Sequence, residues 1–130
     1  MKAKGVSPHE RFEGIYWVTF QDNSRRLATE NLSPGHVVYG EELVEHRRKE
    51  YRVWDAFRSK LAAAILKDIK EVPISPGTRV LYLGAASGTT ASHVSDIVAK
   101  ECTVHCAEFA QRPMSELIEH VCSYRANISP

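Results

Sequence analysis

Hydrophobic positions follow a strand-like pattern over the first half of the chain. Residues 14–20 and 25–29 are rich in β-formers and are separated by a polar turn, which predicts a hairpin. A second turn at 33–35 precedes the apolar segment 36–39, and residues 50–54 form a last short strand. This half therefore predicts a small antiparallel β-unit.

From residue 58 onward, helix and strand patterns alternate. Helical spacing of Leu61, Ile65, Leu66 and Ile69 predicts a helix over residues 59–70. The pattern then predicts three further elements: a buried strand over 79–83 that is covered on both faces, a second strand over 103–108, and a helix that begins around Pro113. This order is typical of an α/β fold with a parallel sheet.

The predicted fold class is therefore α/β, with two domains. A small N-terminal antiparallel β-domain at residues 1–57 precedes the first half of a Rossmann-like domain at 58–130. Because two parallel strands leave helix faces unburied, we expect the chain to be an N-terminal fragment that lacks its carboxyl-terminal side.

Composition and charge exclude several classes of protein. The 130 residues are 43% hydrophobic and 25% charged, which is typical of a globular protein. A net charge of +1 argues against gripping nucleic acid by bulk electrostatics alone. No apolar run approaches the roughly 20 residues that span a bilayer, and residues 1–5 are not followed by the apolar stretch of a signal peptide. We therefore expect no membrane association.

The cysteines predict a reducing compartment and no metal site. Cys102, Cys106 and Cys122 cannot all pair internally, so we expect reduced, buried thiols in a cytoplasmic protein. Cys102 and Cys106 lie four positions apart rather than in a CxxC spacing, which argues against a zinc site.

The turn at residues 84–88 carries the clearest candidate chemistry. It follows a predicted strand and precedes a helix that Thr89 or Thr90 is expected to cap, an arrangement that binds nucleotide cofactors at the carboxyl end of a strand. No Gly-Lys-Ser/Thr follows, so the turn is not a P-loop, and it lacks the GxGxxG spacing of dinucleotide-binding proteins. A plain strand–helix connection is the alternative.

Glu108 favours a nucleoside cofactor. It ends the second predicted parallel strand, 24 positions after Gly84, where an acidic side chain accepts hydrogen bonds from ribose hydroxyls. Without a middle glycine, the turn permits less backbone approach to a pyrophosphate. The pattern therefore favours S-adenosylmethionine over NAD.

Two basic features are open to more than one interpretation. Lys60 begins the first predicted helix, where the helix dipole favours its neutral form and suits a group that activates a hydroxyl. The alternative is a solvated lysine at a helix start, and the residues alone favour that alternative. The basic stretch 46–49, with Arg52 and Arg58, either contacts RNA phosphates or protects an edge strand.

Several segments resemble archaeal fibrillarins, which are 2′-O-methyltransferases of box C/D ribonucleoproteins. The run Ser-Gly-Thr-Thr-Ala-Ser-His-Val at 87–94 is especially specific to that family. The resemblance extends from about Glu10 to the end of the chain, and its other matching segments are the strand at 15–16 and residues 38–41, 50–54, 59–65, 80–85, 108–109 and 125–128.

The resemblance implies an S-adenosylmethionine-dependent RNA ribose 2′-O-methyltransferase. Its implied cofactor contacts are Thr89, Thr90, Glu108 and Phe109. Gly84 and Ala85 of the glycine turn complete the set of candidate cofactor residues. Lys60 matches the first lysine of the family's Lys-Asp-Lys set, which positions and deprotonates the target 2′-hydroxyl. The implied partners are a box C/D guide RNA, target rRNA and tRNA, a Nop-domain scaffold protein and a kink-turn-binding ribosomal-type protein.

The chain departs from the family pattern at three places. Residues 85–87 are Ala-Ala-Ser where the family commonly has Ala-Ser-Ala. Residues 55–58 replace a more usual Asn-Pro-Asn turn before Lys60. The family's later Asp and second Lys would lie beyond Pro130, so this chain by itself is expected to show no turnover. Two rival functions remain at this point: an NAD-dependent oxidoreductase half-domain and a non-catalytic ribonucleoprotein assembly module.

Overall fold

A five-stranded antiparallel sheet forms the N-terminal unit of the computed structural model, which describes residues 3–130. Its strands are β1 (Ala3–Pro8), β2 (Tyr16–Phe20), β3 (Arg25–Glu30), β4 (Leu43–His46) and β5 (Lys49–Val53). They lie in the order β1-β2-β3-β5-β4, with β4 at one edge. Met1 and Lys2, which the predicted N-terminal domain includes, lie outside the described residues.

Both faces of this sheet bury apolar side chains, because successive residues of a strand point to opposite sides. Val18 and Val53 belong to the cluster on one face. Trp17 and Leu27, which are paired across β2 and β3, belong to a second cluster that also contains Ile65 and extends to the helices. The N-terminal sheet and the helices of the second half therefore share a core, and the predicted boundary at residue 57 stays a prediction.

The second half forms the predicted parallel sheet with its helices. The elements are α1 (Lys60–Leu66), β6 (Val80–Leu83), α2 (Thr89–Val98), β7 (Val104–Ala107), α3 (Gln111–His120), a 3₁₀ turn (Cys122–Tyr124) and β8 (Ile128–Ser129). Strands β6, β7 and β8 are parallel neighbours in that order. This confirms the α/β class. Among residues 3–130, no helix has the length and apolar character needed to cross a membrane.

Two expectations about the second half were wrong. Strand β6 is not covered on both faces, since it lies at the sheet edge with Leu81 67% and Leu83 73% exposed. Helix α1 ends at Leu66 rather than at residue 70, because Asp68 adopts a left-handed φ of 68° that a right-handed helix cannot continue through. Leu66 and Ile69 are consequently exposed instead of lying on a buried stripe.

Strands β1, β4 and β8 were not predicted. The basic stretch 46–49 forms the hairpin between edge strand β4 and β5, with Arg47 and Arg48 exposed at left-handed φ angles. Arg52, which the sequence grouped with this stretch, is instead fully buried and therefore does not reach a surface ligand.

Arg52 belongs to a buried charge network that connects the N-terminal sheet to α2. Its guanidinium donates to Glu41 at 2.7 Å, to Asp96 at 2.9 Å and to the Ser92 hydroxyl at 2.8 Å. Arg125 donates to the other carboxylate oxygen of Asp96. Burial opposes ionisation of Glu41, but Arg52 and the backbone N–H groups of Tyr39 and Val38 together outweigh burial, so the pKa of this carboxyl is lowered. The network therefore consists of paired charges.

His93 extends the same network as a neutral side chain. Thr29 Oγ1 donates its proton to Asp96 at 2.7 Å, so it accepts the N–H of His93 Nδ1 at 2.8 Å. Nε2 of His93 then accepts the Tyr39 hydroxyl proton at 2.7 Å. Burial is the main cause that lowers the pKa of His93 well below 6.5, and the positive charges of Arg52 and Arg125 lower it further. The neutral tautomer is thus fixed by its partners.

Candidate cofactor site

The glycine turn closes onto the carboxyl end of β7. The backbone N–H groups of Gly84 and Ala85 both donate to the Ala107 carbonyl, at 2.8 and 3.1 Å. Gly84 and Gly88 adopt left-handed φ angles of 76° and 100°, which glycine tolerates at little cost. The glycine turn is therefore held by hydrogen bonds to the neighbouring strand β7, in addition to its covalent connection to β6.

Glu108 fixes the same turn from the other side. Its Oε1 accepts the Ala86 N–H at 2.8 Å, and its Oε2 accepts the Ala110 N–H at 3.0 Å. Ala86 has a left-handed φ of 51°, an uncommon conformation that this hydrogen bond helps to hold. Each carboxylate oxygen still has a free lone pair, so Glu108 can brace the turn and accept a ligand hydroxyl together.

Three of the predicted cofactor residues line one cavity. Gly84, Glu108 and Phe109 surround a space of about 460 Å³, together with Ala107 and Met114. The Phe109 side chain is fully exposed, so its ring is available for stacking on a planar ligand.

The other predicted cofactor residues have different surroundings. Ala85 is buried in the apolar core, and Thr89 is the first residue of α2. The expectation that a threonine caps α2 was wrong, because the cap residue is Gly88 and no side chain caps the helix. The Thr90 hydroxyl instead lies 2.8 Å from the Ser59 hydroxyl.

Ser59 links the predicted catalytic lysine to the start of α2, and it is not among the site residues that the sequence predicts. It caps α1, where its Oγ accepts the Ala62 N–H at 3.4 Å, and it is buried. Lys60, the next residue, is exposed in the first turn of α1. The Ser59–Thr90 contact therefore holds the start of α1 beside the start of α2. The signal available in the sequence was a serine before an alanine-rich helical run.

Of the two glycines in this turn, Gly88 is the one at which close packing leaves no room for a side chain. A Cβ there would lie 2.6 Å from Leu117 Cδ1 and 3.0 Å from Val121 Cγ2, both on fully buried side chains. We expect Gly88→Ala to lower the free energy of unfolding by about 2–4 kcal/mol, from overpacking added to left-handed strain. Urea denaturation of the chain measures this loss.

Gly84→Ala is the matched control. Its φ of 76° makes alanine strained, but a Cβ there meets nothing within 4 Å, so about 1–2 kcal/mol is expected. In the double variant Gly88→Ala/Leu117→Ala the clash is relieved, so its loss should be smaller than the sum of the single losses. Additive losses would show that the Leu117 contact is not the cause.

Comparison with known proteins places this chain in one family. The fibrillarin family model matches residues 6–130. The fibrillarin-like rRNA/tRNA 2′-O-methyltransferase of Methanopyrus kandleri is 56% identical over 125 residues, which are 96% of this chain and 53% of that protein. The protein of the same name from Aeropyrum pernix is 50% identical over 130 residues, which are 100% of this chain and 55% of that protein. The chain thus spans about half the length of the curated relatives it matches.

Two solved structures have the same fold. Aeropyrum pernix fibrillarin, crystallised with natively bound S-adenosyl-L-methionine, matches with a TM-score of 0.96 and 49% identity over 100% of this chain and 56% of its own. A fibrillarin in complex with Nop5p matches with a TM-score of 0.74 and 39% identity over 94% of this chain and 52% of its own. The chain belongs to the fibrillarin family.

Proposed function

We propose that this chain provides the cofactor site and one catalytic lysine of an S-adenosylmethionine-dependent RNA ribose 2′-O-methyltransferase. The observation that carries the proposal is the glycine turn, which is braced by Glu108 beside an exposed Phe109 at the carboxyl ends of two parallel strands. Relatives named as rRNA/tRNA 2′-O-methyltransferases support the substrate class, and a relative crystallised with S-adenosyl-L-methionine supports the cofactor.

The residues around the 460 Å³ cavity fit S-adenosylmethionine. The free lone pairs of Glu108 suit ribose hydroxyls, and the Phe109 ring suits an adenine face. When bound, the cofactor supplies a methyl group on its sulfonium. Lys60 then orients the target ribose 2′-hydroxyl and takes up its proton, while Ser59 keeps α1 in place against Thr90.

The setting we propose is a cytoplasmic box C/D ribonucleoprotein that processes rRNA and tRNA. A guide RNA selects the target, and a Nop-domain scaffold protein and a kink-turn-binding ribosomal-type protein hold the RNA. The fibrillarin structure solved with Nop5p supports the scaffold partner. The near-neutral charge of the chain fits an assembly in which other components supply much of the RNA contact.

Cofactor binding is best tested in a hybrid protein, in which this chain replaces the matching residues of the Aeropyrum pernix relative. Glu108→Gln is expected to weaken S-adenosylmethionine binding by roughly tenfold or more, because it removes a charged acceptor and one of the two turn-bracing hydrogen bonds. Isothermal titration calorimetry measures the change.

Glu116→Gln is the control, since Glu116 is an exposed glutamate on α3 that does not line the cavity. Its affinity should equal that of the unmodified hybrid. Tight binding of NAD by the hybrid, without binding of S-adenosylmethionine, would contradict the proposed function and favour the oxidoreductase alternative.

A further inference from the structure

The turn of the β4–β5 hairpin holds two arginines in a conformation that arginine disfavours. His46 and Lys49 are paired across the hairpin, so Arg47 and Arg48 alone form its two-residue loop. Both have left-handed φ angles, of 51° and 68°. A two-residue loop with positive φ at both positions normally contains Asn-Gly or Gly-Gly, because these residues adopt it with little strain. The hairpin would therefore be more stable with other residues in its loop.

No contact within the described part of the chain explains why arginines occupy this loop. Arg47 and Arg48 are both exposed, and neither forms an ion pair among residues 3–130. Strained residues that the surrounding packing does not require are found preferentially at binding sites. The strain is therefore a reason to look for a ligand of the two guanidinium groups.

Most of the other charged side chains of the hairpin already have partners. Lys49 Nζ lies 3.6 Å from Glu30 Oε1. Glu50 Oε1 accepts two N–H groups of the segment 31–35, at 2.7 and 2.8 Å. Glu45 is the remaining acidic residue of the hairpin, and it lies on β4, two residues before the turn. The turn itself therefore presents positive charge to the solvent.

Protection of the β4 edge does not account for this charge. The sheet is curled, so that Cα atoms of its two edge strands, β1 and β4, approach within 8 Å. Val6 of β1 packs against the buried cluster that contains Val44 of β4. The outer edge of β4 thus has β1 beside it and offers little room for a strand of another molecule. Protective charges would also lie along the edge strand, whereas the two arginines lie beyond its end.

Two adjacent guanidinium groups without apolar neighbours suit an RNA backbone. Guanidinium groups donate paired hydrogen bonds to phosphate oxygens, and such contacts need no pocket because the phosphates are exposed. The centre of a protein interface is instead depleted of charge and enriched in aromatic side chains. Residues 45–50 contain only charged side chains and one histidine. The hairpin therefore fits RNA phosphates better than a protein surface.

We propose that the β4–β5 hairpin binds the phosphate backbone of the RNA through Arg47 and Arg48. This rests on the proposed function, and it adds to that function an RNA contact made by the N-terminal unit. The hairpin lies at one end of β5, and the opposite end of β5 leads to α1 and Lys60. The contact is therefore expected to position the RNA without taking part in methyl transfer.

Arg47→Asn/Arg48→Gly in the hybrid protein tests this, because it removes both charges and also relieves the strain of the loop. Anisotropy titrations of a fluorescent guide RNA annealed to its target strand should show binding weakened about tenfold at low salt. The slope of log affinity against log salt concentration should fall by about 2, since each lost phosphate contact lowers it by about 1. Urea denaturation should give a higher midpoint than for the unmodified hybrid, so that misfolding does not explain the weaker binding.

Two variants of the hybrid serve as matched controls. Arg47→Lys/Arg48→Lys keeps both charges and should keep the slope of the salt dependence. Lys67→Gln/Lys70→Gln removes two exposed cations at and beyond the end of α1, and it should leave affinity and slope unchanged. Unchanged affinity and slope in the hairpin variant Arg47→Asn/Arg48→Gly, or equal losses in the lysine variant, would overturn the proposal.

Two further outcomes would assign another role to the hairpin and overturn this one. Self-association of the hairpin variant on size-exclusion chromatography, with unchanged RNA binding, would assign the charges to edge protection. Loss of binding to a Nop-domain protein, with unchanged RNA binding, would assign them to a protein contact. If the hybrid binds S-adenosylmethionine while the hairpin variant keeps its salt dependence, only this inference fails; a hybrid that binds no cofactor would instead refute the proposed function.

Discussion

Asp96→Ala is expected to lower the free energy of unfolding by about 3–5 kcal/mol, since it removes the shared partner of two buried cations. Arg52 and Arg125 are both buried, and each donates to a different oxygen of this carboxylate. The Thr29 hydroxyl and the Leu32 N–H also donate to it, at 2.7 and 2.9 Å. Urea denaturation followed by circular dichroism measures the loss.

The control for Asp96 is a carboxylate in an exposed ion pair. Asp68 is 90% exposed in its side chain and lies 2.7 Å from Arg11. Asp68→Asn keeps a residue that tolerates the left-handed φ of this position, so the expected loss is below about 1 kcal/mol. Equal losses at Asp96 and Asp68 would show that the buried network does not stabilise the contact between the N-terminal sheet and α2.

The order of elements could be predicted because it depends on local patterns. Apolar periodicity and glycine punctuation identified β2, β3, β5, β6, β7 and the helices. Edge strands carry a weaker signal, since they need few buried side chains. The strand β1 thus has no fully buried residue, and β4 has only Val44, so neither pattern was visible in the sequence.

The buried network could not be predicted for a different reason. Arg52 lies 44 positions from Asp96, and Arg125 lies 29 positions from it, so only the tertiary fold brings them together. In the sequence, Arg52 is one more cation in a basic stretch that is otherwise exposed. A buried arginine differs from a surface arginine only through partners that are distant along the chain.

The same limit applies to the candidate site. The glycine turn and Glu108 are linked by a strand–turn–helix rule that fixes their relative positions, and the family resemblance added Phe109. All three lie around one cavity. The Ser59–Thr90 contact joins two helices 31 positions apart, and no such rule connects them. The roles of all these residues in cofactor binding stay predictions until variants are measured.

Lys60→Met is expected to reduce methyl transfer by the hybrid protein by about 10²–10⁴-fold, the typical contribution of a positioned acid or base. The Lys60 side chain is exposed and makes no hydrogen bond or ion pair among residues 3–130, and methionine is a good helix former. Stability and S-adenosylmethionine affinity should therefore be unchanged. Single-turnover transfer of a labelled methyl group to a guided RNA target separates the chemical step from binding.

Lys67→Met is the matched control, since Lys67 is an exposed lysine at the opposite end of α1. Its transfer rate should equal that of the unmodified hybrid. Unchanged transfer by Lys60→Met would remove its catalytic role and favour the assembly-module alternative, in which Ser59 and Thr90 hold the two helices together for a partner rather than for a reaction.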